Sequence, residues 1–283
     1  MTAPQHHSVL FVPGNRPDRF DKALAAGASA VIIDLEDAVA PADKITARAA
    51  VAAWLRPQHA VILRINSADT PWFQGDLALC GAPGVAAVMC PKAESADTLA
   101  TITAAGAPAL LPLVESAAGL ANLAALAAAP GVWRLAFGSI DLQVDLGMKD
   151  ASEDELLPFR LQLLLASRLA GIAAPLDGVS TAIDDEARLQ HDVQRARRLG
   201  FGGKLCIHPR QLAAVNAGMA PSSEELVWAR RVLDAAGNAN GAAVAVDGKM
   251  VDKPVLLRAQ ALLNEAAGAA KRCERWPGTA SIR

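Results

Sequence analysis

The sequence predicts an α/β protein built on one closed (β/α)8 barrel, followed by a C-terminal extension. Three observations lead there. Eight short apolar runs recur about every 22 to 38 residues across residues 1–218, with helical stretches between them. The runs are near-continuous rather than alternating, which marks strands covered on both faces. Asp34, Arg64, Glu115 and Asp141 follow or end such runs, and the strand ends of a barrel are where one rim gathers reactive groups. A doubly wound sheet is the alternative. Eight units with polar groups after many of the strands favour closure.

Residues 8–12 form the first strand; the turn Pro13-Gly14-Asn15 follows, and Pro17 suits the first turn of a helix to about Ala26. The second strand, 30–34, ends in the acidic cluster Asp34, Glu36 and Asp37, and Asp43 caps an Ala-rich helix to about Leu55. Strand three, 60–65, delivers Arg64; strand four, 84–89, runs into Pro91-Lys92 and a helix opened by Ser95. Strand five, 110–114, ends at Glu115, with Ser116 as N-cap of an Ala-rich helix; strand six, 135–138, precedes Asp141. A helix over 153–170 leads to a weaker strand at 172–177, Asp184 opens a polar helix over 185–199, and strand eight, 203–207, ends at His208-Pro209. The extension, 219–283, reads as a helix from Pro221 to about Ala236, a glycine- and asparagine-rich break at 237–241, a strand and turn at 243–248, and a last helix from Pro254 to about Ala270. The tail, 271–283, reads as loosely held.

The chain has 283 residues, 52% of them hydrophobic, enough for a large core. With 27 basic and 29 acidic residues it offers no nucleic-acid surface and no polybasic face for a membrane. No run has the length of a membrane span and the N-terminus lacks an apolar signal core. Cys80, Cys90, Cys206 and Cys273 lack metal-ligand spacing, and reduced thiols of a cytoplasmic protein are expected.

Glu115 and Asp141 stand just past two successive strand ends. A carboxylate pair with few other ligands suits Mg²⁺, which keeps several waters and binds substrate oxygens; each acid alone reads equally as a helix cap or salt-bridge partner. Arg64 at a strand end suits a carboxylate held by its two-pronged guanidinium, or an internal pair with Asp34, Glu36 or Asp37. Those three acids are expected to orient Arg64 and Lys44, or a metal-bound water. The loop Phe11, Pro13, Gly14 and Asn15, with Arg16, Arg19 and Lys22, fits a phosphate-bearing ligand, or plain surface charge. His208 reads as a packed rim residue, His6 and His7 as tail, and Asp252 as a turn acid near a helix start. No Ser/His/Asp or Cys/His arrangement stands out.

Seven segments, 10–15, 33–39, 63–66, 91–94, 114–116, 137–142 and 203–209, together resemble the HpcH/HpaI aldolase and citrate lyase β-subunit (CitE-like) family, and its malyl-CoA and citramalyl-CoA lyase branch. They span nearly the whole chain in the family's order. The resemblance implies a TIM barrel with Mg²⁺, or Mn²⁺ in its place, on Glu115 and Asp141. It implies Arg64, with Gly138 and Ser139, on the carboxylate of an oxo acid or a 3-hydroxyacyl-CoA. The loop from Phe11 to Asn15, with Arg16, Arg19 and Lys22, would lie near coenzyme A. Residues 247–254 resemble a C-terminal lid in which the residue matching Asp252 is an acid/base offered to a neighbouring subunit, which implies a homotrimer or hexamer. One departure is His7, where many relatives carry an arginine. The implied activity is reversible cleavage of a 3-hydroxyacyl-CoA such as citryl-CoA, malyl-CoA or citramalyl-CoA to an acyl-CoA and a 2-oxo acid. A malyl-CoA thioesterase, a CoA-independent pyruvate aldolase and a non-catalytic CitE-like subunit are the alternatives.

Overall fold

The structure, a computed structural model, describes residues 7–238 and 244–270. Eight parallel strands close into one barrel in chain order: β1 (Ser8–Pro13), β2 (Ala30–Asp34), β3 (Val61–Arg64), β4 (Val85–Cys90), β5 (Leu110–Val114), β6 (Arg134–Phe137), β7 (Ala173–Asp177) and β8 (Gly203–Cys206). Closure is made by β8 against β1, with Leu10 opposite Cys206. The expected TIM-type architecture is therefore the observed one.

Side chains alternate across each strand, so one set fills the barrel and the other meets the helices. The interior holds Val9, Ile32, Ile62, Met89, Leu111, Leu113, Leu176 and Leu205. The layer beneath the helices holds Leu10, Ile33, Leu63, Val88, Val114 and Cys206. Extending the interior rows by one step of two residues reaches Asp34, Arg64 and Glu115. Register keeps them level: Asp34 pairs with Arg64, and Val114 with Phe137. Apolar alternation thus carries three charged side chains to the C-terminal end of the barrel, inside its rim.

The extension packs helix Ser223–Asn238 on helix Lys253–Ala270 through Ala229, Val232, Ala259 and Leu262. Strands β9 (Val244–Val246) and β10 (Lys249–Val251) join them as a hairpin. Its turn puts Asp247 at φ 54° and Gly248 at φ 73°, as two left-handed turn residues require. The pair of helices sits against the N-terminal end of its own barrel. A cleft of about 1020 Å³ there is lined by His7, Ala174 and Gly202, at or before strand starts, and by Arg258, Leu262 and Glu265. Arg197 and Glu225 tie the extension to the barrel at 2.5 Å.

Several element expectations need correction. The helix expected over 153–170 is Leu157–Leu169, because Pro158 takes its first turn; Glu153 lies in a turn and pairs with Arg160 at 2.8 Å. Asp43 stands at the start of helix Lys44–Trp54 without a side-chain cap bond. Asp185, not Asp184, caps Glu186–Leu199 by accepting from the Arg188 N–H at 2.9 Å. The Ala-rich helix behind Ser116 is two pieces, Ala117–Ala121 and Leu123–Ala128. Helix Phe73–Leu77 was not expected. Cys80, Cys90 and Cys206 are free and buried. His6, residues 239–241, Cys273 and the tail lie outside the described residues. Among the described residues no helix is long and apolar enough to cross a membrane.

Candidate active site

A cavity of about 380 Å³ opens at the C-terminal end of the barrel. Its lining includes Phe11, Pro13, Asp34, Asp37, Arg64, Glu115, Gly138, Ser139, Ile140, Asp141, Val179 and Ile207. The sequence-expected carboxylate pair and Arg64 thus share one space.

Glu115 is 3% exposed, at the step after β5. Its Oε1 accepts the Lys92 N–H at 2.7 Å. Lys92 adopts φ 44°, a left-handed conformation that non-glycine residues seldom take; this strained turn after β4 presents an N–H to the acid. On the other side the carboxylate lies across Gly138. A Cβ there would overlap the Glu115 Cβ and fall 2.5 Å from Oε2. Ser116 caps the next helix by accepting from the Gly119 N–H at 3.1 Å, and donates to Glu94 Oε1 at 2.6 Å. Asp141 is in the first turn of helix Ser139–Asp145 and is open to solvent.

Arg64 is 8% exposed. Its Nε and Nη2 fork onto Asp34 at 2.7 and 2.5 Å. Nη1 approaches Glu36 Oε2 at 2.8 Å and Asp37 Oδ2 at 3.5 Å. The Glu36 contact is an ion pair off the N–H direction, since Oε2 is buried and accepts no hydrogen bond. The guanidinium also lies 4.8 Å from the centre of the Phe11 ring. The internal-pair reading of Arg64 is therefore realised, and the residue still lines the cavity. Asp34 meanwhile accepts from the Glu36 and Ala38 N–H groups at 2.8 and 3.2 Å. Lys44 Nζ donates to the Leu35 and Glu36 carbonyls at 2.8 and 2.7 Å. The acidic loop is fastened from both ends.

Burial of the acids dominates the electrostatics of the site. Burial pushes Glu115 up to about 8; the Lys92 N–H works against this, and Glu36 and Asp141 add to it. Burial also pushes Glu36 up to about 7, opposed by Arg64 and reinforced by Asp37 and Asp34. Burial acts to lower the Arg64 pKa, but Asp34, Glu36 and Asp37 outweigh it and the guanidinium stays charged. Burial is the first cause of both rises, so Glu115 and Glu36 lack the hydration or counter-charge that would hold them ionised, a deficit only partly met by Arg64 and Lys44. A divalent cation fits that deficit and the two-carboxylate donor set. Among the described residues no cluster of three or more His, Cys, Asp or Glu forms a metal set of its own, so water or substrate oxygens would complete the coordination.

Other expected site residues separate from the cavity. Phe11 and Pro13 line it, but Gly14, Asn15, Arg16, Arg19 and Lys22 do not. Gly14 is required for a different reason: its N–H donates to the Asp34 carbonyl at 2.7 Å, and a Cβ would meet that same oxygen at 2.7 Å. Asn15 donates to Asp43 at 3.4 Å, and Arg16 pairs with Asp18 at 2.9 Å. Arg19 and Lys22 are exposed. Asp252 is exposed and caps the last helix by accepting from the Val255 N–H at 3.1 Å. His7 is 3% exposed at the opposite end of the barrel, 3.7 Å from Glu265. His7 therefore packs beneath the extension, not as a tail residue, and does not line the cavity of its own chain. His208 accepts the Arg210 N–H at 3.2 Å, as a packed rim residue.

Comparison with known proteins gives the family. The family model for HpcH/HpaI aldolase/citrate lyase matches residues 7–209. A citrate lyase subunit beta-like protein of Deinococcus radiodurans is 37% identical over 279 residues, covering 92% of this chain and 97% of the relative. A (3S)-malyl-CoA thioesterase of Cereibacter sphaeroides is 35% identical over 274 residues, covering 92% and 94%. The crystal structure of CitE from Mycobacterium tuberculosis with magnesium, acetoacetate and coenzyme A superposes with a TM-score of 0.83 at 38% identity, covering 93% of this chain and 98% of that one. The chain belongs to the HpcH/HpaI aldolase/citrate lyase family.

Proposed function

We propose that this protein is a divalent-metal-dependent carbon–carbon lyase that cleaves a 3-hydroxyacyl-CoA of the citryl-, malyl- or citramalyl-CoA type to an acyl-CoA and a 2-oxo acid, reversibly. The observation that carries this reading is the convergence of Glu115, Asp141 and Arg64 on one cavity at the C-terminal end of the barrel. The CitE structure that this chain resembles holds magnesium, acetoacetate and coenzyme A, which supports Mg²⁺ as the cation; Mn²⁺ in its place is part of the proposal.

Glu115 and Asp141 hold the cation, which supplies Lewis-acid stabilisation of negative charge on a substrate oxygen. Arg64 adds a fixed positive charge; its orientation is set by the fork on Asp34, so little reorganisation is needed when charge develops. Gly138 and Ser139 line the same cavity beside Glu115, where a substrate carboxylate would lie. As the carbon–carbon bond breaks, the 3-hydroxyl gives up its proton to water and becomes the keto group of the 2-oxo acid. The bonding pair stays on the thioester fragment as its enolate, whose carbon takes a proton from Asp252, and Asp252 regains a proton from water. Asp252 belongs to an extension docked at the N-terminal end of its own barrel, whereas the cavity opens at the other end. It therefore serves a neighbouring copy, in a trimer or hexamer, with residues 219–283 acting as a lid domain on the barrel of residues 1–218.

A second reading has specific support. Relatives named (3S)-malyl-CoA thioesterase match 92% of the chain, so hydrolysis of the thioester after cleavage is the alternative. The test is a panel of 3-hydroxyacyl-CoA esters assayed with the purified protein, with and without Mg²⁺. Mg²⁺-dependent appearance of acyl-CoA and 2-oxo acid supports the lyase. Free CoA and a free acid support the thioesterase. Aldehyde and pyruvate from a CoA-free hydroxy-oxo acid would identify an aldolase. Ligand binding without turnover of any substrate would identify a non-catalytic subunit.

A further inference from the structure

We infer that Asp145 is a positioning residue that sets the spacing between Glu115 and Asp141; this rests on the metal reading above. Asp145 ends the helix Ser139–Asp145 that carries Asp141 in its first turn. Its Oδ2 accepts the Ala117 N–H at 2.7 Å. Ala117 is the first residue of helix Ala117–Ala121, two positions after Glu115. This one hydrogen bond therefore cross-links the loop after β5 to the helix after β6, with one carboxylate on each side of the link.

Two features set Asp145 apart from an ordinary surface acid. It sits at the C-terminal end of its own helix, where the macrodipole disfavours an acid. Its carboxylate instead meets the N-terminal end of the neighbouring helix, where an acid is favoured. That neighbouring helix already has a cap, because Ser116 Oγ accepts the Gly119 N–H at 3.1 Å. The Asp145 bond is thus additional to the cap, and a local preference is given up for a tertiary contact beside the site. On the far side of Glu115 the Lys92 N–H fixes Oε1 at 2.7 Å. Asp145 supplies the matching restraint on the Asp141 side. One bond holds the Glu115 carboxylate, and the other holds the helix that carries Asp141.

The test is a double-mutant cycle on the full chain. Asp145→Ala removes the acceptor, and Ala117→Pro removes the donor at a first-turn position that tolerates proline. Ser116 is already extended, at φ −142° and ψ 160°, as a residue before proline must be. Mg²⁺ affinity is read by titration calorimetry, and in the Asp145 variants exchange of the Ala117 amide proton is followed by NMR. Each single variant is expected to weaken Mg²⁺ by about tenfold, with the double no worse than either. Asp145→Asn keeps an acceptor and is expected to stay within about twofold of wild type, with Ala117 still protected. The inference is overturned if Asp145→Ala lowers Tm but leaves Mg²⁺ affinity unchanged, or if Asp145→Asn is as weak as Asp145→Ala. Failure of the wild type to bind Mg²⁺ at all overturns the metal reading itself, and this inference with it.

Discussion

Glu115 is the residue on which a quantitative prediction rests most firmly. Without a cation its carboxyl is pushed from 4.5 up to about 8, first by burial and then by Glu36 and Asp141. A rise of that size corresponds to on the order of 5 kcal/mol between the charged and neutral forms. The sign follows directly. A raised carboxyl favours the protonated folded state, so its contribution to stability is fully present below 4.5 and is lost as pH rises through about 8. Mg²⁺ needs the deprotonated form and must displace that proton. Apparent Mg²⁺ affinity is therefore expected to fall about tenfold per pH unit below 8, roughly a hundredfold between pH 9 and pH 6. Titration calorimetry at pH 6, 7, 8 and 9 measures it, with proton release read from buffers of different ionisation enthalpy. Glu115→Gln should lose most of the affinity and the pH dependence together. Without metal at pH 9 the same variant should melt at least about 4 °C higher than wild type, because the buried charge is gone. An Mg²⁺ affinity that varies less than about threefold over this range would refute the reasoning, as would a Glu115→Gln variant that binds like wild type.

Three further outcomes follow from the same geometry. Gly138→Ala should weaken Mg²⁺ by about tenfold or more, since its Cβ overlaps Glu115 and must displace it; calorimetry at pH 8 checks this, and unchanged affinity would show that Glu115 has room to move. Arg64→Lys should cost about 2 kcal/mol in denaturant unfolding, because a single ammonium cannot replace the fork on Asp34. It should also lower kcat by at least about 100-fold through loss of the oriented charge. Asp252→Asn should leave Tm unchanged within about 1 °C, because asparagine caps a helix as well as aspartate, while turnover is nearly abolished. Wild-type turnover in that variant would remove Asp252 from the mechanism.

The barrel was legible because burial on two faces writes itself as continuous apolar runs, and each run in the sequence became a strand within a residue or two. Glu115 and Arg64 were legible for a related reason, as charged residues that close apolar runs at the barrel's rim, and Asp141 as the first acid after the next run. What the sequence hid was direction and partnership. The basic residues Arg16, Arg19 and Lys22 follow the turn after β1, but Arg16 pairs with Asp18 and Arg19 and Lys22 are exposed, all outside the cavity. The Pro91-Lys92 turn was visible, whereas the left-handed conformation that aims the Lys92 N–H at Glu115 was not. Asp145 reads as an ordinary surface acid, because its acceptor role depends on a helix 28 residues earlier in the chain. The helix start at 153 failed because Pro158 outranked the acidic residues before it. The extension's helices were legible from their starts, but such signals do not say which end of a barrel they will meet.

Replacing Mg²⁺ by Mn²⁺ and collecting anomalous diffraction from crystals at pH 8 tests the central claim most directly. The account predicts one strong peak inside the barrel mouth, about 2.1 Å from an oxygen of Glu115 and from an oxygen of Asp141. A peak on either acid without the other, or at another place in the fold, would contradict it.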